Sequence, residues 1–527
     1  MPVQVSYPGI YINEVQSSNP VVVGVSTSNT AFVDFFPCGP VGPGNTQVAY
    51  QINSWSQFQS VYGGLDTRSE ASYGIFQYFN NGGQVAWVVR VVSSDAAAAT
   101  WTASTNAPST APVSLVFSAA SPGAWGNNIQ VAITSPIPPV GNLKPTPDRF
   151  NLTVQEVVKG SVVDTETYLN LTLSPTDPNN ALAVVNAESS LVQLSLPPGV
   201  TVSPTSVPAV NGMPPQTYQF LTGGLDGSMP DLTNLNTVNT ALDALTRIAP
   251  SVFNILCMPA LANISPSATI TILTAVMNFC KAQQAFMIVD IPSSVANVQQ
   301  VTQWAQQLTS ADAYASAVYF PRLIIPDPIN NYLPRNVGAS GTLAGVYART
   351  DAADGVWTAP AGINATLLGA NLAVQVTDAQ DGQLNPLGIN CLRTFPVYGN
   401  VCWGARTMAG ADLLQSEWKY IPVRRLVDYI EQSLVQSLKW VVFQPNDPQL
   451  WTRITVEVGN FLSGLYSQGA FQGATPSQAY FVQCDSTTTT PTDIAQGIVN
   501  IVVGVAPVDP AEFVILQIQQ IAGQTGQ

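Results

Sequence analysis

The sequence predicts a multidomain protein of mixed α/β and α+β class, with a mostly-β insertion. Three observations lead there. At 527 residues the chain exceeds what one hydrophobic core serves, roughly 250–300 residues, so several domains are expected. Between 221 and 345, short apolar runs at 252–257 and 286–289 alternate with helical periodicity near 233–247, 266–284 and 295–309. That is the pattern of helices packed on a sheet. Between 96 and 220, strand-like runs at 113–117, 129–134, 150–158 and 165–173 are separated by proline clusters at 136–147 and 197–215.

Taken in order, residues 1–25 read as an arm. Pro8-Gly9 and Asn19-Pro20 bracket the alternating stretch Ile10, Tyr11, Ile12, which is too short to fold alone. Residues 26–95 belong with 221–345 in the α/β domain. Ala31 to Phe36 reads as a strand and 37–45 as a turn-rich loop. A capped short helix follows near Asn53, then a second from Ser69, the candidate N-cap, to Phe79. Gly82-Gly83 stops it, and 85–92 reads as a buried strand. Residues 96–220 form the inserted β-rich domain. Residues 346–527 form the C-terminal domain. There Pro422 opens a helix predicted to end near Phe443, with Val423, Leu426, Val427, Ile430, Leu434, Leu438 and Val442 recurring at three and four. A second helix spans about 448–466, and strand-like runs follow at 479–484, 497–505 and 512–520. GGLD occurs at 63–66 and at 223–226, which reads as a glycine turn with Asp near a helix start.

Composition excludes several function classes. Charged residues make up 9%, against about 25% in ordinary soluble domains, while hydrophobic residues are an ordinary 46%. The surface is therefore polar but uncharged, which suits large contacts with other protein, since interface cores are depleted in charge. The net charge of −14 and pI near 4.3 argue against a nucleic-acid binder and against a polybasic membrane anchor. The chain has no histidine, which removes Ser–His–Asp and Cys–His mechanisms and the usual zinc ligand sets. Six cysteines stand at 38, 257, 280, 391, 402 and 484 with no CxxC, so they read as small buried hydrophobes in a reducing cytosol. No P-loop, GxSxG or EF-hand pattern occurs, and GPVGPG at 39–44 lacks dinucleotide-binding spacing. Asp351 with Asp354, and Asp378 with Asp381, read as loop or capping residues. No catalytic, cofactor-binding or metal residue is assigned, and no cofactor is expected. MPVQVSYPGIY has neither a basic n-region nor an apolar h-region, and the longest apolar run, near 498–506, is about half a membrane span. The expectation is cytoplasmic synthesis and assembly, with no direct membrane insertion.

Two further features bear on association. Between 393 and 453 lie seven basic residues (Arg393, Arg406, Lys419, Arg424, Arg425, Lys439, Arg453) against five acidic ones (Asp412, Glu417, Asp428, Glu431, Asp447). That window is +2 inside a chain of −14. It reads either as a solvated helix face with local ion pairs or as a docking face for an acidic partner or a neighbouring subunit. Both chain ends are extended and apolar: Ile10, Tyr11 and Ile12 in the arm, and Phe513, Val514, Ile515, Leu516 and Ile518 after Pro507 and Pro510. Free apolar edge strands invite pairing with another chain. These residues are the candidate intersubunit strands, the alternative being pairing within their own subunit.

Several blocks resemble, in order, the contractile tail sheath proteins of phage tails and contractile injection systems. They are YPGIYINEV (7–15), GGQVAWVVRV (82–91), GVYARTDAADGVWTAPA (345–361), LNPLGINCLR (384–393), WGARTM (403–408), EWKYIPVRRLVDYIE (417–431), FQPND (443–447), FLSGLYSQGAFQG (461–473), AYFVQCD (479–485) and PAEFVILQIQQ (510–520). The resemblance is specific over 345–527, good over 7–92 and weak over 96–220.

The resemblance implies a structural protein, a virion or particle component and not an enzyme. Its fold would be a sheath core built from the C-terminal region and the N-terminal arm, an α/β middle domain and an outward-facing insertion. Subunits would form hexameric rings stacked in a helical assembly around an inner tube. Strand exchange through both chain ends would link them. Contraction from a metastable extended state would drive the tube through a target envelope. The implied partners are further copies of the chain, an inner tube protein, and baseplate and terminator or cap proteins, with no nucleic acid. Arg424, Arg425 and Lys439 on the helix from Pro422 are the tube-facing candidates. The alternative from a different class is a secreted or surface-layer β-rich adhesin or structural protein.

Overall fold

The computed structural model describes residues 21–106, 114–134, 149–197, 207–209, 217–249, 251–308 and 310–515. These fall into two compact units. One comprises 27–354 and 358–421. The other comprises 21–26, 355–357 and 422–515.

The larger unit is built on an eight-stranded sheet. Its strands are β1 (Thr30–Asp34), β2 (Ala49–Ile52), β3 (Ala86–Arg90), β4 (Ile255–Cys257), β5 (Phe286–Val289), β6 (Ser316–Phe320), β7 (Ile389–Phe395) and β8 (Gly399–Cys402). The order across the sheet is β8-β7-β6-β5-β4-β1-β3-β2. The six central strands are parallel, and β2 and β8 close the two edges antiparallel. Both faces are covered, so the strands are apolar on both sides and alternate between two cores. Ala31, Val33, Trp87, Val89, Leu256 and Met287 enter one core with the helices Leu235–Asp243, Pro266–Ala282 and Val298–Ala305. Phe32, Ala86, Val88, Ile255, Cys257 and Ile288 enter the other with Trp55–Tyr62, Glu70–Asn80 and Ser340–Asp354.

Local signals set these elements. Ser54 and Ser69 cap their helices, accepting from Gln57 N and Ser72 N. The helices Glu70–Asn80 and Ser340–Asp354 cross at backbone contact. A Cβ on Gly341 would stand 2.2 Å from the Gly74 carbonyl oxygen, which only glycine tolerates. The Ser340–Asp354 helix, absent from the sequence expectation, is buried on every side from Ser340 to Ala348 and so carries no amphipathic period to read. Its first turn is held by Asp290, which accepts from Ser340 N at 2.9 Å and from the Ser340 hydroxyl.

The insertion is a pair of four-stranded antiparallel sheets around one core, which contains Leu115, Phe117, Ile129, Val131, Leu152 and Val154. Strands Ile129–Thr134 and Phe150–Val158 fall where the sequence places them. The strand expected at 165–173 begins earlier, at Ser161, because Lys159 (φ 51°) and Gly160 (φ 82°) make a tight hairpin turn. A helix, Ala181–Glu188, adds to the all-β expectation, capped by Asn180.

Buried charge fastens the insertion to the sheet. Arg90 is wholly buried and faces carbonyls: Phe36 (2.8 Å), Gly39 (3.1 Å), Pro37 (3.0 Å) and Pro122 (2.7 Å). The aspartates of the two GGLD segments meet on one cation, since Arg68 pairs with Asp66 and Asp226 at 2.7 Å each. Asp226 also accepts from Ala124 N at 2.7 Å.

The unit boundary differs from the sequence expectation, which began the C-terminal domain at 346. Residues 358–421 belong to the larger unit because β7 and β8 complete its sheet and the segment 362–367 hydrogen-bonds along β8. All six cysteines are buried free thiols. Asp378 and Asp381 stand in the first turn of the helix Asp378–Leu384 and pair with Arg393, while Asp351 and Asp354 lie at the end of Ser340–Asp354.

The smaller unit packs the helix Ile421–Ser437 and the helix Pro448–Ser467 around Leu426, Ile430, Trp451, Ile454, Val458 and Leu462. Asp447 caps the second helix, accepting from Leu450 N. The first ends at Ser437 and continues as a 3-10 turn, Leu438–Val441, short of the predicted Phe443. β-Branched Val441 and Val442 ahead of Pro445 disfavour further turns. A two-stranded antiparallel ribbon, Tyr480–Gln483 with Val502–Val505, stands on this core through Tyr480, Val482, Val503 and Val505. On its other face the Phe481 ring covers Gly504, where a Cβ would lie 2.1 Å from the ring. An aromatic ring shielding a cross-strand glycine is a known way to hold such a pair.

Two outcomes follow for stability. Burial pushes the Asp34 carboxyl up to about 7, against the opposing pull of Ala71 N, Phe35 N and the Ser69 hydroxyl. The folded chain then keeps a proton that the unfolded chain loses near pH 4, so Asp34 makes stability fall as pH rises from about 4 to about 7. Melting temperatures across this range should decline less in Asp34→Asn than in the parent. Separately, Gly504→Val should displace the Phe481 ring and cost about 1–3 kcal/mol in chemical denaturation. Phe481→Ala in the same chain should return part of that loss, a coupling that independent sites would not show.

Candidate assembly interface

Among the described residues the ribbon is the one sheet of the smaller unit. Among the described residues neither strand has a second strand partner, so each leaves one edge open. A row of unpaired backbone N–H and C=O groups is a template for another chain. Phe481 and Val502, 54% and 44% exposed, lie along it.

The chain beyond the ribbon is anchored and then leaves. Ala506 N donates to the Ala479 carbonyl at 2.8 Å, Gln472 N donates to the Ala506 carbonyl at 2.9 Å, and Phe471 bridges Pro507. Phe513, Val514 and Ile515 are 74%, 82% and 83% exposed and form no strand within their own chain. Leu516 and Ile518 lie outside the described residues, as do Ile10, Tyr11 and Ile12.

The base of the arm is described and runs along the helix Ile421–Ser437. Val23 N donates to Ser437 Oγ at 3.1 Å, and Val25 N donates to Ser433 Oγ at 3.2 Å. Val22 is buried between exposed Val21 and Val23. Sequence reasoning missed these serines. They sit off the apolar stripe, and nothing in their spacing separates them from solvated polar positions.

The basic window is largely paired within the chain. Arg393 meets Asp378 and Asp381, Arg406 and Lys419 share Asp412, and Arg453 meets Glu457. Three of those carboxylates, Asp378, Asp381 and Glu457, lie outside the window, which is why the count over 393–453 overstates its charge. Arg424 and Arg425, the first two tube-facing candidates, are only 6% and 3% exposed. They do not form an open basic face, because helix spacing brings the Asp428 carboxylate under Arg424 four residues on, with Glu431 at 3.3 Å. Burial pushes the Asp428 carboxyl up to about 6, with Arg424 pulling it back. The third candidate, Lys439, is exposed, its Nζ donating to Gln436 at 2.7 Å. Among the described residues no cluster of metal-ligating side chains occurs, and no helix is long and apolar enough to cross a membrane.

Comparison with known proteins gives matches to part of the sequence and to the fold. Residues 415–521 match the phage tail sheath C-terminal domain. Over 166 residues, 31% of the chain, the sequence is 30% identical to the tail sheath protein of Enterobacteria phage T4, of which the match covers 24%. The tail sheath protein of Vibrio phage KVP40 is 30% identical over 162 residues, 30% of this chain and 23% of that protein. The chain thus spans about a quarter of the length of these curated relatives. Among solved structures, the PVC sheath complex of an extracellular contractile injection system, in the contracted state, shares 21% identity. It superposes with a TM-score of 0.56 over 98% of this chain and 99% of its own. A sheath tail protein from Listeria innocua gives a TM-score of 0.59 at 13% identity, covering 93% of this chain and 96% of its own. The mixed α/β fold with several sheets is therefore that of sheath proteins along nearly the whole length. The domain matched at 415–521 contains both long helices and the ribbon of the smaller unit.

Proposed function

We propose that this protein is the structural subunit of a contractile tail sheath, carried in a phage tail or an injection particle. It polymerises as stacked six-fold rings around an inner tube and contracts from a metastable extended state to drive that tube through a target envelope. The baseplate and a terminator protein bound the assembly. The observation that carries this reading is the open ribbon beside an exposed apolar chain end. A two-stranded sheet is marginal alone, and strands from neighbours, supplied by residues 1–20 and 511–527, would complete it. The insertion at 96–220 faces outward. The arm, the ribbon and the two long helices make the assembly core. No observation favours the adhesin alternative.

Negative-stain microscopy of the purified full chain should show tubes with a central channel, alone or on co-expression with the inner tube protein. Absence of tubes in both cases contradicts the sheath reading. Deleting 1–20, or 511–527 so as to spare the Phe471–Pro507 bridge, should abolish tubes and leave a folded monomer by circular dichroism. Normal tubes from both deletions contradict strand exchange.

The inner tube contact rests on the helix Ile421–Ser437 and its 3-10 extension. Lys439 is the docking cation, and Arg424 and Arg425 hold the first turn. Lys439→Glu should weaken co-sedimentation with the inner tube protein, and more so at low salt, where screening is least. Unchanged binding at all salt concentrations removes Lys439 from that contact.

A further inference from the structure

We propose that Ser433, Ser437 and Tyr429 form a clamp that fixes where the N-terminal arm leaves the subunit, and with it the register of the exchanged strand. This rests on the strand-exchange reading above and adds positioning residues to it.

The geometry is a match of two repeats. Four residues of helix advance about 6 Å, and two residues of extended chain advance about 6.4–6.8 Å. Hydroxyls at 433 and 437 therefore face backbone amides at 25 and 23, so the helix offers the arm two rungs of a ladder. The hydroxyls are oriented for this. Ser433 Oγ donates its hydrogen to the Tyr429 carbonyl at 2.7 Å and accepts from Val25 N with a lone pair. Ser437 Oγ accepts from Val23 N and donates to the Val23 carbonyl at 3.3 Å, closing both backbone groups of one residue.

Between the rungs, Gly24 lies against the Tyr429 hydroxyl. A Cβ there would stand 1.9 Å from Oη, so a larger residue must displace either the Tyr429 ring or the arm. Val22 is buried at 6% exposure while Val21 and Val23 point outward at 69% and 67%. Arm numbering rises as helix numbering falls, so the described arm runs antiparallel to the helix. An extended segment at a chain end loses little by fraying, and serine is a poorer helix former than alanine. The clamp earns its place only if tension or register on the arm matters.

The test compares the full-length chain with Ser433→Ala/Ser437→Ala, with Gly24→Val, and with Ser437→Thr. The readouts are monomer melting temperature and the yield and length of tubes. The double alanine variant should melt with the parent or above it and lose roughly tenfold in tube yield, the effect of weakening about two hydrogen bonds at each subunit link. Gly24→Val should do the same by steric means, and Ser437→Thr, which keeps the hydroxyl, should assemble normally. Parental tubes from both the alanine and the Gly24→Val variants overturn the clamp. So does a fall in melting temperature that accounts for the lost tubes. If deletion of residues 1–20 also leaves tubes intact, the strand-exchange reading itself fails. If that deletion abolishes tubes and the clamp variants assemble, the clamp alone is wrong.

Discussion

Among its described residues the smaller unit has a sheet of two strands, and a sheet of two strands has two open edges. One face rests on the helices Ile421–Ser437 and Pro448–Ser467, and the Phe481 ring shields Gly504 on the other. The backbone groups along the outer edges receive no strand from the described residues. Isolated ribbons of this size are marginal in water, and open edges recruit strands. On the proposed reading, the same geometry lets neighbouring subunits stay joined while their side-chain packing changes. Main-chain pairing supplies affinity that does not depend on a particular side-chain fit.

The larger unit uses its few charges differently. Arg90 is caged by four carbonyls, Arg68 is held between Asp66 and Asp226, and Asp290 caps a buried helix. Burying charge, as at Arg90 and Asp290, is costly unless the group's partners are met, and each of these groups joins segments far apart in sequence. Arg90 and Asp226 tie the insertion to the eight-stranded sheet at two points. On the proposed reading, this fastening lets the insertion move together with the rest of the larger unit.

Legibility in the sequence followed local pattern. The Ser69 cap could be read from one residue, and the stripe through Leu426, Ile430, Leu434 and Leu438 from apolar residues recurring at helical spacing among polar ones. The strands Ile129–Thr134 and Phe150–Val158 lie within runs rich in β-branched and apolar residues. The Ser340–Asp354 helix escaped because burial on all sides erases periodicity. The boundary at 421 escaped because it is set by parallel pairing of β7 with β6, a contact no local pattern encodes. The basic window misled because the carboxylates that neutralise it, Asp378, Asp381 and Glu457, lie beyond its ends. At the candidate interface the apolar residues Phe513, Val514 and Ile515 were visible, whereas the serines that hold residues 23 and 25 were not, since a hydroxyl's partner is a matter of tertiary placement.

Hydrogen exchange of the amides at 480–483 and 502–505, compared between monomer and assembled tube, tests the open-ribbon idea most directly. If neighbours complete the sheet, the outward-pointing amides that exchange fast in the monomer become strongly protected in the tube, on the same peptides and without change elsewhere in the ribbon's core face. Tubes in which those amides exchange as fast as in the monomer would contradict it.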